Sequence, residues 1–398
     1  MIQREYVNCA TCNCALILRI QIGHSPKQVH RFHCPSCKEE IQISLDLNQA
    51  EGYIESINLE VNCVPGKQEN GTPMYLSPDF LADAENINSE FYLPSLNLIE
   101  QLRGSKHAKS FFRSLDHPKP PLIETLWEPL KKAWRLQSAS QFLLSNSIND
   151  AFSKEYGTEA GSLRENLSWF LDGLFPTPNS LFSEIEEIRS KNPKEFLRFL
   201  HYYQIHLEAV HFADYYENIS SYFDLYMDFS QALIYVKADV LPPAGAIAIT
   251  MHFEKTKKFY ATLYEFYSGA ICILTALNNI KEGRPFDRLL NITLDEFRRT
   301  DKAKRRNSFE KNSIFTAATA EFDSAIRNAS FHNWFKLLGD KSEIEYRSGG
   351  TGAIQKISYA KYLYKCNRLF RQMCELMSLE LVFRKIACDV AFVTKYPN

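Results

Sequence analysis

Two groups of residues in this chain have the types and spacing to do chemistry. The first is Cys9-x-x-Cys12 followed, after 21 intervening residues, by Cys34-x-x-Cys37. Each two-residue spacer lets both sulfurs turn toward one ion, and two such knuckles make the spacing of a tetrahedral zinc site. Four thiolates leave no open coordination position, so such a site is structural and not catalytic. The second group is Arg327-Asn328-Ala329-Ser330-Phe331-His332. A guanidinium can clamp an anion, and an imidazole with an unperturbed pKa of about 6.5 can take a proton. Together they suit cutting RNA without a metal. The base deprotonates a ribose 2′-OH, the arginine stabilises charge growing on the phosphoryl oxygens, and a 2′,3′-cyclic phosphate and a 5′-OH result. DNA, which lacks the 2′-OH, is spared.

Spacing alone is weak evidence for the second group, because Arg19 and His24 repeat it inside an expected strand. Asn328 directly after the arginine is what sets the later occurrence apart. On a helix, Arg327 and His332 project ~140° apart and can border one cleft. Asn328, four before His332, shares its face, and Asp323, four before Arg327, is placed to orient the guanidinium by an ion pair. A core reading competes: Ala318, Phe322, Ala325, Ala329 and His332 recur at helical spacing, as a buried stripe would.

The elements that must position these groups change in character along the chain. Residues 1–64 are β-rich, with strands expected at 16–22, 29–33, 40–47 and 53–61 and the paired cysteines between them. Cys14, His24, His30, His33 and Cys63 are competing ligands there. Pro, Gly and Asn with little periodicity make 65–94 a linker. A helical region of unassigned role follows at 95–190, with helices expected at 95–114, 120–136, 138–155 and 161–174. From 191 to 398 the pattern gives long helices at 194–238, 254–282, 308–339 and 358–390, with a short hairpin (343–346 and 353–357) before the last. The architecture is therefore mainly α with a small β-rich N-terminal zinc ribbon. That ribbon match covers about 60 residues, and Arg19, Lys27, Arg31 and Lys38 give it a modest basic set for nucleic acid or protein.

Just upstream of the motif, Arg298, Arg299, Lys302, Lys304, Arg305 and Arg306 fall within nine residues. They are candidates for neutralising RNA phosphates; a solvated helix end explains them equally well. His201, His206 and His211 recur every five residues and do not share a helical face, which argues against a metal site. Ser348-Gly349-Gly350-Thr351-Gly352 lacks the Gly-Lys-Ser/Thr ending of a P-loop and reads as a turn. No Gly-x-Ser-x-Gly, His-Glu-x-x-His or kinase signature occurs.

Arg327-Asn328-x-x-x-His332 on the third of four long helices, with a hairpin before the fourth, resembles the HEPN superfamily over roughly 194–398. That resemblance implies a metal-independent endoribonuclease with Arg327 and His332 catalytic and Asn328 positioning. It also implies a composite cleft built by a homodimer, and a role in antiviral defence, abortive infection or as a toxin. No cofactor is implied for catalysis. Two other readings remain: a non-catalytic nucleic-acid- or protein-binding protein, or a sensor subunit whose ribbon takes a protein or nucleic-acid trigger.

Composition sets the outer bounds. The 398 residues exceed one comfortable core. A formal net charge of −1 gives no global field toward nucleic acid, so any such binding rests on local patches. The N-terminus lacks a signal-peptide layout, no segment reaches a membrane span, and scattered cysteines suit a reduced, cytoplasmic interior.

Overall fold

Alternation of apolar and polar residues decides the N-terminal region. In the computed structural model of the chain the described residues are 2–22, 27–48, 53–67, 70–77, 81–83, 123–158, 161–248, 252–289, 291–331, 334–338, 343–348 and 352–395. The expected helix at 95–114, His24, His332 and the centre of the 348–352 turn lie outside them. Strand β1 (Ile2–Cys9) runs antiparallel to β2 (Ala15–Gln21) and to β6 (Cys63–Pro65), and β7 (Thr72–Leu76) lies parallel to β2. The sheet order is β6-β1-β2-β7. A second, antiparallel sheet is β3 (Lys27–His33), β4 (Glu40–Asn48) and β5 (Tyr53–Val61). Leu16, Leu18 and Ile20 of β2 and Ile41, Ile43 and Leu45 of β4 point to one shared core with Val7, Phe32 and Leu76. Period-two side chains on two sheets thus bury one face of each.

Four of these strands fall where the pattern predicts. Two do not. β1 is too polar (Gln3, Arg4, Glu5) to announce itself, and β7 sits within the segment read as linker. Thr72–Leu76 is ordered by main-chain pairing and by Leu76, which enters the core.

The chain divides into two units. The first holds 1–119, 225–258 and 328–367. Besides the two sheets it contains a two-stranded pairing of β8 (Ala82–Asp83) with β9 (Ala246–Ile247). It also has an antiparallel sheet of β10 (Phe335–Leu337), β11 (Glu343–Tyr346) and β12 (Gln355–Ser358). The expected hairpin is therefore present as β11 and β12, with β10 added at its edge.

The second unit holds 120–224, 259–327 and 368–398 and is helical among its described residues. It starts with α1 (Ile123–Ser138), α2 (Phe142–Tyr156) and α3 (Leu163–Leu174) around Trp127, which is fully buried and stacks on Phe170 and Phe223 at 5.7 and 5.8 Å. α4 (Asn179–Lys191) follows. The long stretch expected at 194–238 is three helices: α5 (Pro193–His206), α6 (Glu208–Asp224) and α7 (Tyr226–Lys237). They break at Leu207 and Leu225, both buried, where the backbone leaves helical values while Leu207 still donates to the Tyr203 carbonyl. The stretch at 254–282 is α8 (Phe253–Ala270) and α9 (Cys272–Lys281), interrupted only at Ile271.

At 308–339 the single long helix expected from the sequence is not found. In its place are a short α10 (Leu294–Phe297) upstream, a 3-10 helix (Lys302–Phe309), α11 (Ser313–Ala318), α12 (Ser324–Phe331) and then β10. Two caps explain the division. Asn312 Oδ1 accepts from the Ile314 and Phe315 amides at 3.1 and 3.2 Å, and Asp323 Oδ1 accepts from Ala325 and Ile326 at 3.1 Å each. Each cap satisfies amides at a new helix start. Between them the Ala318 carbonyl takes the Tyr267 hydroxyl at 2.6 Å and the Glu321 amide donates to Gln372 at 3.1 Å. α13 (Tyr359–Lys395) is a single long helix, as expected.

Glu380 of α13 is fully buried yet satisfied. It accepts from Tyr203 at 2.8 Å, Tyr215 at 2.7 Å and His211 Nδ1 at 3.0 Å. Burial, and then the Glu380 charge, push both phenols far above their ordinary range, so they stay protonated donors. Removing one donor leaves a buried carboxylate under-solvated. Tyr215→Phe is expected to destabilise the second unit by about 1.5–3 kcal/mol, read from denaturant unfolding. An unchanged midpoint would show that the network does not stabilise the fold.

Candidate functional site

The sulfurs of Cys9, Cys12, Cys34 and Cys37 all lie within 4.8 Å of one another. Cys9 and Cys37 are 3.6 Å apart, as are Cys12 and Cys34. Tetrahedral zinc at ~2.3 Å from each sulfur would set the sulfurs ~3.8 Å apart, so the four thiols are arranged to hold a metal such as zinc.

The two knuckles are built alike. The Asn13 amide donates to the Cys9 carbonyl at 2.8 Å, and the Lys38 amide donates to the Cys34 carbonyl at 3.0 Å. Asn13 and Lys38, each four residues after the first cysteine of its pair, have φ of 57° and 66°. That left-handed turn brings the second sulfur round beside the first; it is common for Asn and uncommon for Lys. The backbone amide of Cys14 pulls the Cys12 thiol down to about 6. At Cys37 the Glu39 amide also pulls downward, but burial and the sulfurs of Cys12, Cys9 and Cys34 push the thiol up to about 12. Thiols this close titrate as one set and cannot all ionise unaided, which is the charge problem a divalent cation relieves.

Asn62, with φ of 51°, ties the knuckles to the second sheet. Its carbonyl accepts from the Ala10 amide at 3.0 Å, and its Oδ1 accepts from the Thr11 hydroxyl at 2.8 Å. Its Nδ2 points at Cys9 Sγ at 3.6 Å and donates to the Glu40 carbonyl at 3.3 Å. Outer partners of this kind orient the ligands of a metal. Asn62→Ala is expected to speed zinc loss to a chromogenic chelator, with affinity falling about 10–100-fold. Chelation at the native rate would remove Asn62 from the centre. Of the competing candidates, Cys14, Cys63, His30 and His33 lie outside the set of four, and His24 lies outside the described residues.

The Arg-Asn motif lies on α12. Arg327 is partly exposed, with its Nε and Nη2 both on Glu265 of α8. Lys302 joins the same carboxylate at 2.5 Å. Burial raises the Glu265 carboxyl, but Lys302 and Arg327 outweigh it and hold the group below the usual carboxylate range. Glu265 thereby fixes the plane of the motif arginine through two of its five donors. Asp323, expected to orient that guanidinium, caps α12. Asn328 is half-buried, and Ala329 and Ser330 are buried. His332 lies outside the described residues.

The basic set upstream splits in its roles. Arg305 is buried and gives its guanidinium to the carbonyls of Ser268 at 2.9 Å, Thr300 at 3.2 Å and Arg298. Lys302 is engaged with Glu265, and Arg306 lies 6.0 Å over the Phe322 ring. Arg298 reaches the Tyr202 hydroxyl at 3.4 Å. Arg299 and Lys304 are exposed. The histidines at 201, 206 and 211 form no metal-holding group, and among the described residues the four cysteines are the only such group.

Asn62 and Glu265 were invisible to motif reading because each acts 53 and 62 positions from its partner. The chain matches no protein-family model, no curated protein and no solved structure. No helix among the described residues is long and apolar enough to cross a membrane.

Proposed function

We propose that this protein is a metal-independent endoribonuclease of HEPN type that cuts RNA by attack of the 2′-OH. In this reading His332 is the base, Arg327 stabilises the phosphoryl charge and Asn328 positions the base. Two copies pair through the 191–398 region to complete the cleft, and the protein serves antiviral defence or acts as a toxin. The observation that carries the reading is the Arg327 guanidinium, partly exposed and held in plane by Glu265. A fixed cationic donor aimed at developing charge costs no reorganisation at the moment of reaction. Arg299 and Lys304, both exposed, supply phosphate contacts, whereas Arg305 is committed to the fold.

The cysteine centre favours a second role beside catalysis. A rigid four-sulfur module on a small sheet pair is a recognition scaffold, and it would receive the protein or nucleic-acid trigger. The test is incubation of the purified dimer or monomer with single-stranded RNA in EDTA, followed by analysis of the new ends. Fragments ending in 2′,3′-cyclic phosphate and 5′-OH support the enzyme. Tight RNA binding with no cleavage, in the presence of whole-cell RNA and protein from infected and uninfected cells, would favour a binding protein.

A further inference from the structure

The sulfurs of the four-cysteine set meet in a definite pattern. The contacts at 3.6 Å run across the knuckles, Cys9 to Cys37 and Cys12 to Cys34. A disulfide of ~2.05 Å asks each pair to close by about 1.5 Å, a movement that side-chain rotation can supply. Exposure is divided in the same way. Cys12 is exposed and Cys37 partly so, whereas Cys9 and Cys34 are 1% and 0% exposed. Each contact therefore joins an accessible sulfur to a sheltered one. That is the layout of an oxidisable thiol pair, in which the accessible sulfur meets the oxidant and its neighbour resolves it.

The pattern also decides what oxidation would do to the fold. Cys9 ends β1 of the first sheet, and Cys34 directly follows β3 of the second. Bonds from Cys9 to Cys37 and from Cys12 to Cys34 would tie one knuckle to the other, as a shared metal does. Bonds within a knuckle would leave the two unlinked. The neighbouring thiols are turned elsewhere: Cys14 Sγ lies 3.9 Å from the Ala15 carbonyl, and Cys63 Sγ lies 3.6 Å from the Gln42 carbonyl. Cys272, Cys366 and Cys374 are buried, where thiols are inert.

We propose that the cysteine set is an oxidative modification site for hydrogen peroxide, at which two cross-knuckle disulfides, Cys12–Cys34 and Cys9–Cys37, replace a bound zinc ion as the staple. The proposal is independent of the ribonuclease reading. The Cys12 sulfur attacks one oxygen of the peroxide, the O–O bond breaks, and hydroxide leaves a sulfenic acid behind. The Cys34 sulfur then attacks the Cys12 sulfur, an S–S bond forms, and the S–O bond breaks as a second hydroxide departs. Two electrons pass from the sulfur pair to one peroxide. Cys37 and Cys9 repeat the sequence with a second peroxide. Four thiolates and two peroxides thus give two disulfides and four hydroxides, and the cation loses all its ligands and is released. A thiol reductant restores the four thiols by exchange.

The test uses the full chain loaded with zinc and carrying Cys388→Ser, which removes the other exposed thiol. Hydrogen peroxide is added in steps beside a zinc-responsive dye. Free thiols are then alkylated, and unreduced peptides are mapped by mass spectrometry. The expected result is release of the zinc with two peroxides consumed per ion, and Cys12 joined to Cys34 and Cys9 to Cys37. Cys272, Cys366 and Cys374 should be alkylated only after denaturation. Amides of β2 and β4 should keep their hydrogen-exchange protection after oxidation, and a dithiol reductant should restore zinc binding. Disulfides within the knuckles, bridges to Cys14 or Cys63, or sulfinic acids in place of disulfides would overturn the proposal. So would zinc retained under peroxide, or a chain that never takes up zinc.

Discussion

Cys34→Ser is expected to abolish metal retention and to loosen the whole N-terminal β region. Cys34 is fully buried and belongs to the apolar core shared by the two sheets, so it is at once a ligand and a core residue. Its serine replacement removes one sulfur from a closed set of four and leaves a hydroxyl among apolar side chains. In small zinc domains metal binding supplies on the order of 10 kcal/mol of apparent folding free energy. Here Leu16, Leu18, Ile20, Ile41, Ile43 and Leu45 share that burden, so collapse falls short of complete unfolding. The expected result is one bound zinc per chain in wild type and none in the variant, by elemental analysis. Amides of β3 and β4 should lose hydrogen-exchange protection while those around Trp127 keep theirs. Full zinc content in the variant would mean that the four sulfurs are not the ligands.

Arg327→Ala carries the second large effect. Loss of one preorganised donor to transition-state charge costs about 100- to 1,000-fold in kcat. Glu265→Gln should fall short of that, because it keeps the arginine but weakens the pairing that fixes its plane. The measurement is the rate of appearance of cyclic-phosphate ends under saturating RNA. Stability is expected to change little, since the Arg327–Glu265 pair is partly exposed on both sides. An Arg327→Ala protein with wild-type cleavage would sink the ribonuclease assignment to this motif.

Local patterns carried much of the architecture. The strands at 27–33, 40–48 and 53–61, the helices beginning at 123, 142 and 163 and the final long helix all follow from period and punctuation. The four-cysteine cluster was equally legible, because its members are pairs of neighbours. What escaped was whatever depends on partners far away in sequence. β7 is short, holds Pro73 and follows Asn70-Gly71, so it reads as loop and becomes a strand only beside β2. The division of 308–339 did carry a local signal: Asn312-Ser313 and Asp323-Ser324 are cap sequences, and helical periodicity across them masked the breaks. Glu265 and Asn62 left no trace in spacing, since the fold alone brings them to their partners.

The buried Glu380 has a consequence for how the chain is made. All four clustered cysteines are in hand once residue 37 has been added, and β7 completes the first sheet by residue 76. Tyr203, His211 and Tyr215 instead wait for a partner 165 to 177 residues further on. At about 5–20 residues per second that interval lasts roughly 8–35 s. The ribosome therefore delivers one finished core early and holds the other incomplete until late. A chain that ends before residue 380 has its four-cysteine sheets complete and a helical unit that lacks its central acceptor, the kind of incompletely packed species that is prone to aggregate.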